Sequence, residues 1–524
     1  MGVKAYAASG PPRRGGYHPH MGSPHTSTTG ITPSHHDVIV VGAGISGIGA
    51  AVHLTERCPD RSFVVLEGRE NIGGTWDLFT YPGVRSDSDM HTLGFSFKPW
   101  KAEKSIADGP SIMAYLRETV SEHDVGRHIR FGHQVQAASW DSGTARWTLT
   151  VQHHGSTLTM TCGLLFMCAG YYNYRHGHTP DFPGRDRFVG KVIHPQAWPD
   201  ELDYAGKNVL VIGSGATAVT VVPAMAETAA HVTMLQRSPT WMVARPDTDR
   251  VANILRRVLP ERVAYSLTRL KNTAMQQFIY RKTRTEPAVI RQKLLDGVRA
   301  AVGPDVDVER HFTPTYDPWD QRLCLVPNGD FFTAVRDGRA SVVTDTIESF
   351  TSTGVELASG EHIEADIVVT ATGLELVTLG EVTVTVDGRE INFADTFTYR
   401  GVAYSGVPNL VSTFGYINAS WTLRADLTSA FVCRLLNHLR NTDTDMFTPT
   451  LRDGDESMQQ RPWIDDFSAG YIQRALPLLP KQGDREPWTN PQRYAADRKT
   501  LLRGDLDDGV LQFAVAEHRT PAIV

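Results

Sequence analysis

The chain has few cysteines, no long apolar run and no excess of basic charge. Cys58, Cys162, Cys168, Cys324 and Cys433 make an odd number, and no two have C-x-x-C spacing. That argues against a disulfide framework, a thioredoxin-like redox pair and a zinc site. Reduced thiols in a reducing, cytoplasmic compartment are expected instead. Nothing approaches the roughly 18 consecutive apolar residues of a spanning helix, so no integral membrane segment is expected. The net charge of −6 leaves no basic footprint, and nucleic acid is not an expected partner. What is present is ordinary globular composition, 41% hydrophobic and 21% charged over 524 residues. That length suits roughly two to four structural units.

Residues 1–36 stand apart. They are rich in Gly, Pro, Ser, Thr and His and almost free of apolar runs. Such a stretch cannot bury enough surface to offset its ordering entropy, so a disordered tail is expected. Arg13-Arg14 is followed by no apolar segment, so no twin-arginine export signal is read there. His18, His20, His25, His35 and His36 are taken as part of the tail rather than as metal ligands, and no metal is expected.

Order is expected to begin at Asp37. Val38-Ile39-Val40-Val41 reads as a buried parallel strand and runs into Gly42-Ala43-Gly44-Ile45-Ser46-Gly47. Strand, glycine turn and helix form a dinucleotide-binding fingerprint. The first glycine permits the turn, the second lets backbone approach a pyrophosphate, and the third lets helix and strand pack closely. The pyrophosphate then rests on the helix N-terminus. Phe63-Val64-Val65-Leu66 is the next strand, and Glu67 follows where an acid holds ribose hydroxyls. An acid there suits FAD or NAD.

Asn208-Val209-Leu210-Val211-Ile212 opens a second such unit, with Gly213-Ser214-Gly215-Ala216-Thr217-Ala218 as its turn. Its next strand, His231–Leu235, ends in Gln236-Arg237-Ser238 rather than an acid. A carboxylate would repel a 2′-phosphate, whereas Arg237 can clasp it in a forked, charge-assisted contact. An acid in the first unit and a base in the second point to FAD plus NADPH. Two dinucleotide units also suit flavin disulfide reductases, but no cysteine pair follows Gly73-Gly74.

Between the units lies F-x-G-x-x-x-H-x-x-x-W-P, carried by Phe188, Gly190, His194, Trp198 and Pro199. Five fixed residues at about 5% usage each occur by chance about 3 × 10⁻⁷ times per start position. Upstream, Gly73-Gly74-Thr75-Trp76 leads through Tyr81-Pro82-Gly83 to Asp87. Together these resemble the two signatures of type I Baeyer–Villiger monooxygenases. The segments Tyr81–Trp100 and Pro318–Cys324 are most similar to the ethionamide-activating (EtaA-like) subgroup.

That resemblance implies an α/β fold with two Rossmann-like dinucleotide-binding domains, for FAD and NADPH, and a helical insertion. The expected divisions are 37–175 for the first part of the FAD domain and 180–244 for the first part of the NADPH domain. A helical insertion (245–319), the rest of the NADPH domain (320–370) and the rest of the FAD domain (371–524) follow. The cofactor contacts implied add Trp76, Asp77, Leu78, Arg85, Ser86, Asp87 and Val135 to the fingerprint residues. Arg322 is implied as the catalytic cation and Asp87 as its orienting carboxylate. His194 and Trp198 are implied as hinge residues rather than catalysts. Many relatives have Lys before that arginine; Gln321 stands here, which shifts weight onto Arg237.

The implied reaction inserts one O2 oxygen into a ketone through a C4a-peroxyflavin, giving an ester or lactone. Hydrophobic ketones and organosulfur compounds are the expected substrates. S- or N-oxygenation with little ketone activity is the competing reading, and a non-enzymatic nucleotide sensor is another. The sequence leaves oligomeric state and the individual substrate open.

Overall fold

The computed structural model describes residues 33–465 and 467–518. Two separate sheets dominate it. The first has nine strands. At its centre Ser34–Val41 lies between Phe63–Leu66 and Ser156–Met167, all parallel. The register sets Val38 against Phe63 and Val41 against Leu66. Their side chains are buried on both faces, as continuous apolar runs in a parallel sheet require. His133–Asp141 and Arg146–His153 extend this sheet antiparallel beyond Ser156–Met167. Two late segments return to it: Thr383–Val386 beside His133–Asp141, and Leu410–Ser412 beside Ser156–Met167.

The second sheet has five parallel strands in the order Ala340–Thr344, His231–Gln236, Asn208–Ile212, Ile367–Thr370, Lys191–Ile193. Each sheet carries its glycine turn at the end of a central strand, followed by a helix, Ile45–Arg57 or Ala216–Met225. The two turns are built alike. Gly42 (φ +102°) and Gly213 (φ +129°) adopt backbone conformations that disfavour side chains. A Cβ on Gly42 would lie 2.6 Å from the Cys168 carbonyl oxygen, and one on Gly213 would lie 2.3 Å from that of Ala371. In both sheets the turn backs onto the chain leaving a neighbouring parallel strand.

Helices Arg250–Val258, Glu261–Thr285, Pro287–Val302 and Val308–Phe312 form the excursion read from the sequence. It is bracketed by Met242–Arg245 and Cys324–Pro327, which pair in parallel. The chain therefore departs and returns side by side, which brings Arg322 back to the sheets. No helix among the described residues is long and apolar enough to cross a membrane.

One expectation changes. The first strand begins at Ser34, so His35 and His36 belong to it rather than to a tail. Ser34 and His36 stand in register with Met160 and Cys162, and the His35 ring meets the Thr161 hydroxyl at 2.9 Å. The long neighbouring strand supplies ladder partners that overcome their weak apolar character. Residues 1–32 lie outside the described residues. A second point concerns Ile254, Val258, Val263 and Leu267, whose helical spacing announces helices but not their orientation: all four are exposed.

Candidate functional site

A cavity of about 500 Å³ opens between the glycine turns. Of the residues singled out in the sequence, Gly42, Gly44, Ser46, Glu67, Gly74, Thr75, Trp76, Arg85, Ser86, Asp87 and Val135 border it from the first sheet's side. Ala216, Thr217 and Arg322 border it from the other. Gly47 sits behind the wall, where a Cβ would lie 1.8 Å from the Gly42 carbonyl oxygen. Only glycine lets the helix approach the turn that closely.

The Glu67 carboxylate is fixed by two backbone amides, Ala43 N–H at 2.7 Å and Arg69 N–H at 2.9 Å. Burial raises its pKa, and those two N–H groups counteract the shift. The acid thus stands at the end of its strand, inside the cavity, where a ribose could donate hydrogen bonds to it. Asp77 does not face the cavity; it pairs with Arg69 at 2.9 Å, tying the short helix Thr75–Leu78 to the strand end. Leu78 closes the same helix.

On the second unit, Gly213, Ser214, Gly215 and Ala218 form the turn and helix start but do not border the cavity. A Cβ on Gly215 would meet nothing within 4 Å, so the helix start there lies beside open space. The Ser214 hydroxyl bonds the Ser238 carbonyl at 3.1 Å and meets the Thr240 hydroxyl at 2.8 Å. Arg237 is exposed at the strand end and has no ion-pair partner among the described residues. Gln236 differs from its expected role. Its side chain is buried and its amide donates to the His311 carbonyl at 2.7 Å and to Thr344 Oγ1 at 2.9 Å. It braces the helical excursion from the side of its strand that alternate residues do not share.

Asp87 and Arg322 meet across the cavity although 235 residues separate them. Arg322 Nε donates to Asp87 Oδ2 at 2.9 Å, and Nη2 bonds the same oxygen. Nη1 donates to the Ile417 carbonyl at 2.8 Å. Burial alone would lower the arginine's pKa, but Asp87 and nearby phenols hold it above its ordinary value. The pair lies deep in the protein, yet 31% and 34% of the two side chains face open space. Arg322 is therefore a permanent cation presented to the cavity. Arg85 is also ion-paired, to Asp330 of the second unit. Ser86 turns its hydroxyl onto the Ser88 carbonyl at 2.8 Å.

The linking signature does not reach the cavity. Lys191–Ile193 within it forms an edge strand of the second sheet, beside Ile367–Thr370. A Cβ on Gly190 would lie 2.3 Å from the Asp366 carbonyl oxygen and 2.6 Å from the Phe188 ring. Phe188 packs edge-on to Phe350, and Trp198 packs on the second sheet's core. Pro199 follows it into the next turn. His194 Nδ1 accepts from Gln196 N–H at 3.2 Å, which leaves Nε2–H to donate to the Gly373 carbonyl at 3.1 Å. Burial holds its pKa down. His194 thus ties together the two places where the chain passes between the sheets.

Comparison with known proteins agrees with this arrangement. The flavin-binding monooxygenase-like family profile matches residues 35–287. The chain is 51% identical to the FAD-containing monooxygenase EthA of Mycobacterium tuberculosis, over 92% of this chain and 98% of that protein. This chain belongs to the flavin-binding monooxygenase-like family. It is 48% identical to the probable FAD-binding monooxygenase AlmA of Acinetobacter baylyi, over 91% of this chain and 96% of that one. The fold of this family member matches steroid monooxygenase bound to NADP (TM-score 0.74, 23% identity, 92% of this chain and 100% of that one). It also matches OTEMO in complex with FAD and NADP (TM-score 0.70, 19% identity, 91% and 99%).

Sequence reasoning picks out Trp421 and Tyr81 but misses Tyr171 and Tyr172 in the wall. Tyr171 and Tyr172 join their hydroxyls at 2.7 Å, and both border the cavity. Burial pushes both phenols up. Tyr171 stacks on Trp421 at 5.0 Å, and Trp421 Nε1 donates to Ser46 Oγ at 2.7 Å. Tyr81 is pushed up to about 12 by burial, and it borders the cavity together with Thr217 of the second unit. The aromatic-rich Tyr171-Tyr172-Asn173-Tyr174 directly after the buried strand was a signal for a cavity wall.

Proposed function

We propose that this family member binds FAD in the first unit and NADPH in the second. It then inserts one oxygen of O2 into a ketone to give an ester or lactone, the other oxygen leaving as water. The observation that carries this reading is the Asp87–Arg322 pair, set in a cavity bordered by the first glycine turn and by Ala216 and Thr217 at the second unit's helix start.

The cradles fit the two dinucleotides. The close packing of turn and helix at Gly42 and Gly47 presents the helix N-terminus to the cavity, and Glu67 beside it suits an adenine dinucleotide lacking a 2′-phosphate. Open space at the helix start by Gly215 and the exposed Arg237, with no ion-pair partner among the described residues, suit one that carries it. Reduced flavin, when bound, supplies the activation of dioxygen. The chain's own residues do the rest. Arg322 presents a fixed cation where negative charge develops on the substrate's carbonyl oxygen, so little reorganisation is needed during reaction. Asp87 orients that guanidinium through two donors and the Ile417 carbonyl fixes a third. Trp421, Tyr171 and Tyr172 supply an apolar wall that excludes water. Phe188, Gly190, His194, Trp198 and Pro199 act at the crossing between units, where His194 couples both connections.

Sulfide oxidation is a second activity of the same site. It needs no anionic adduct at carbon, so it depends less on Arg322. The test is NADPH consumption, corrected for uncoupling, over a panel of ketones and sulfides with products identified by mass. Esters or lactones are expected. Exclusive formation of sulfoxides or N-oxides would overturn the ketone reading.

A further inference from the structure

The helical excursion is turned inside out. Among the described residues thirteen large apolar side chains are exposed, and nine of them lie between Val251 and Val289. On Glu261–Thr285 the exposed residues Val263, Leu267, Leu270, Met275 and Phe278 recur at helical spacing along one side. On Arg250–Val258 the exposed set is Val251, Ile254 and Val258, again one stripe. Leu270 is 67% exposed and Val258 68%, so these are not grazing contacts.

The face turned toward the protein is polar instead. Arg269 Nη1 donates to the Gly94 carbonyl at 2.7 Å and to that of His91 at 3.1 Å. Asn272 and Gln276 reach the Asp89 carboxylate at 3.0 and 3.2 Å. Tyr265 donates to the Phe95 carbonyl at 2.9 Å. A helix that docks through polar groups and leaves its apolar stripe bare has its hydrophobic partner outside this chain.

Charge selects that partner. From Arg250 to Val289 there are nine basic residues and two acidic ones, in a chain whose net charge is −6. Arg250, Arg257, Arg262 and Arg281 are exposed and have no ion-pair partner among the described residues. Unpaired arginines flanking an apolar stripe match an anionic bilayer surface, where the stripe enters the acyl boundary and the cations meet headgroups. A symmetric second copy would set these arginines against one another. The chain's own residues 1–32 carry Lys4, Arg13 and Arg14 and no acid, so like charge disfavours them too.

We propose that the exposed face of Arg250–Val258 and Glu261–Thr285 docks this protein on anionic lipid membranes as a peripheral, non-spanning attachment.

The experiment is co-sedimentation of the full flavin-loaded chain with two kinds of vesicle. One holds equal parts phosphatidylglycerol and phosphatidylcholine, the other phosphatidylcholine alone. Retention on the anionic vesicles is expected, and its loss on raising salt. Leu270→Glu with Phe278→Glu is expected to cut partitioning by at least about tenfold, from the loss of two buried apolar side chains. Arg257→Glu with Arg262→Glu is expected to do so through charge alone. Flavin content and NADPH turnover should persist in both pairs, which shows that each folds. Undiminished retention of either pair, or equal retention on neutral vesicles, overturns the proposal. So does a wild-type chain that ignores vesicles, and if it dimerises through this face the stripe belongs to a second copy.

Discussion

Replacing Arg322 with alanine separates its proposed role in oxygen transfer from its role in holding the site. Three hydrogen bonds are lost, two to Asp87 and one to the Ile417 carbonyl. Charge-assisted bonds are each worth roughly 1.5–3 kcal/mol. About a third of both side chains is open, so water solvates the stranded carboxylate and the net stability loss should be about 1–3 kcal/mol. The catalytic loss should be larger. A preorganised group aimed at developing charge contributes about 3–4 kcal/mol to the transition state, or roughly 10²–10³ in rate. Ester or lactone formation should therefore fall by that factor, while sulfide oxidation falls by less than about tenfold. Arg322→Lys should recover little, because a single ammonium cannot reproduce the forked contact with Asp87. The assay compares NADPH consumed with product formed, using ketone and sulfide in parallel, beside a thermal melt. Equal losses for both substrates, or an unchanged ketone rate, would refute the assignment.

Arg237→Ala should raise the KM for NADPH by about 10–100-fold and leave NADH nearly unaffected, since only one coenzyme carries the 2′-phosphate. An unchanged coenzyme preference in steady-state assays removes Arg237 from the role. Gly47→Ala places a Cβ 1.8 Å from the Gly42 carbonyl oxygen, a backbone atom that cannot swing aside. The protein should be purified with markedly less flavin, as read from its absorbance; full occupancy would show that the turn can relax. His35, His36, His91, His128, His178, His194 and His311 all have pKa values lowered, chiefly by burial. The unfolded chain binds these protons more readily. Their stabilising contribution is complete above the ordinary value of 6.5 and is lost as pH falls from there toward the lowered values. The melting temperature should drop between pH 7.5 and pH 5.5, both values being about one unit either side of that midpoint. His194→Gln should flatten part of the drop, and an unaltered slope would show that His194 titrates normally.

Local features were legible because contiguous residues encode them. Val38–Gly47 holds a strand, a turn and a helix start in one stretch, and the chemistry of each follows from its neighbours. For Gln236 the sequence position marks a strand end but not which side its amide takes. The apolar spacing of Ile254 to Leu267 announced a helix correctly, but periodicity cannot say which way a stripe faces. The Tyr171–Tyr172 hydroxyl pair and the Trp421–Ser46 bond required the folded wall.

By itself the sequence determined two dinucleotide units, the acid and base at their second strands, and a helical excursion within the second. Only the tertiary structure decided that Asp87 meets Arg322, that His194 ties the two crossings through Gly373, and that the excursion bares its apolar side. The reason is separation along the chain. Turns and strand runs are set by sterics and burial over a few residues. A contact spanning 235 residues exists only once Met242–Arg245 and Cys324–Pro327 pair and return the arginine to the cavity.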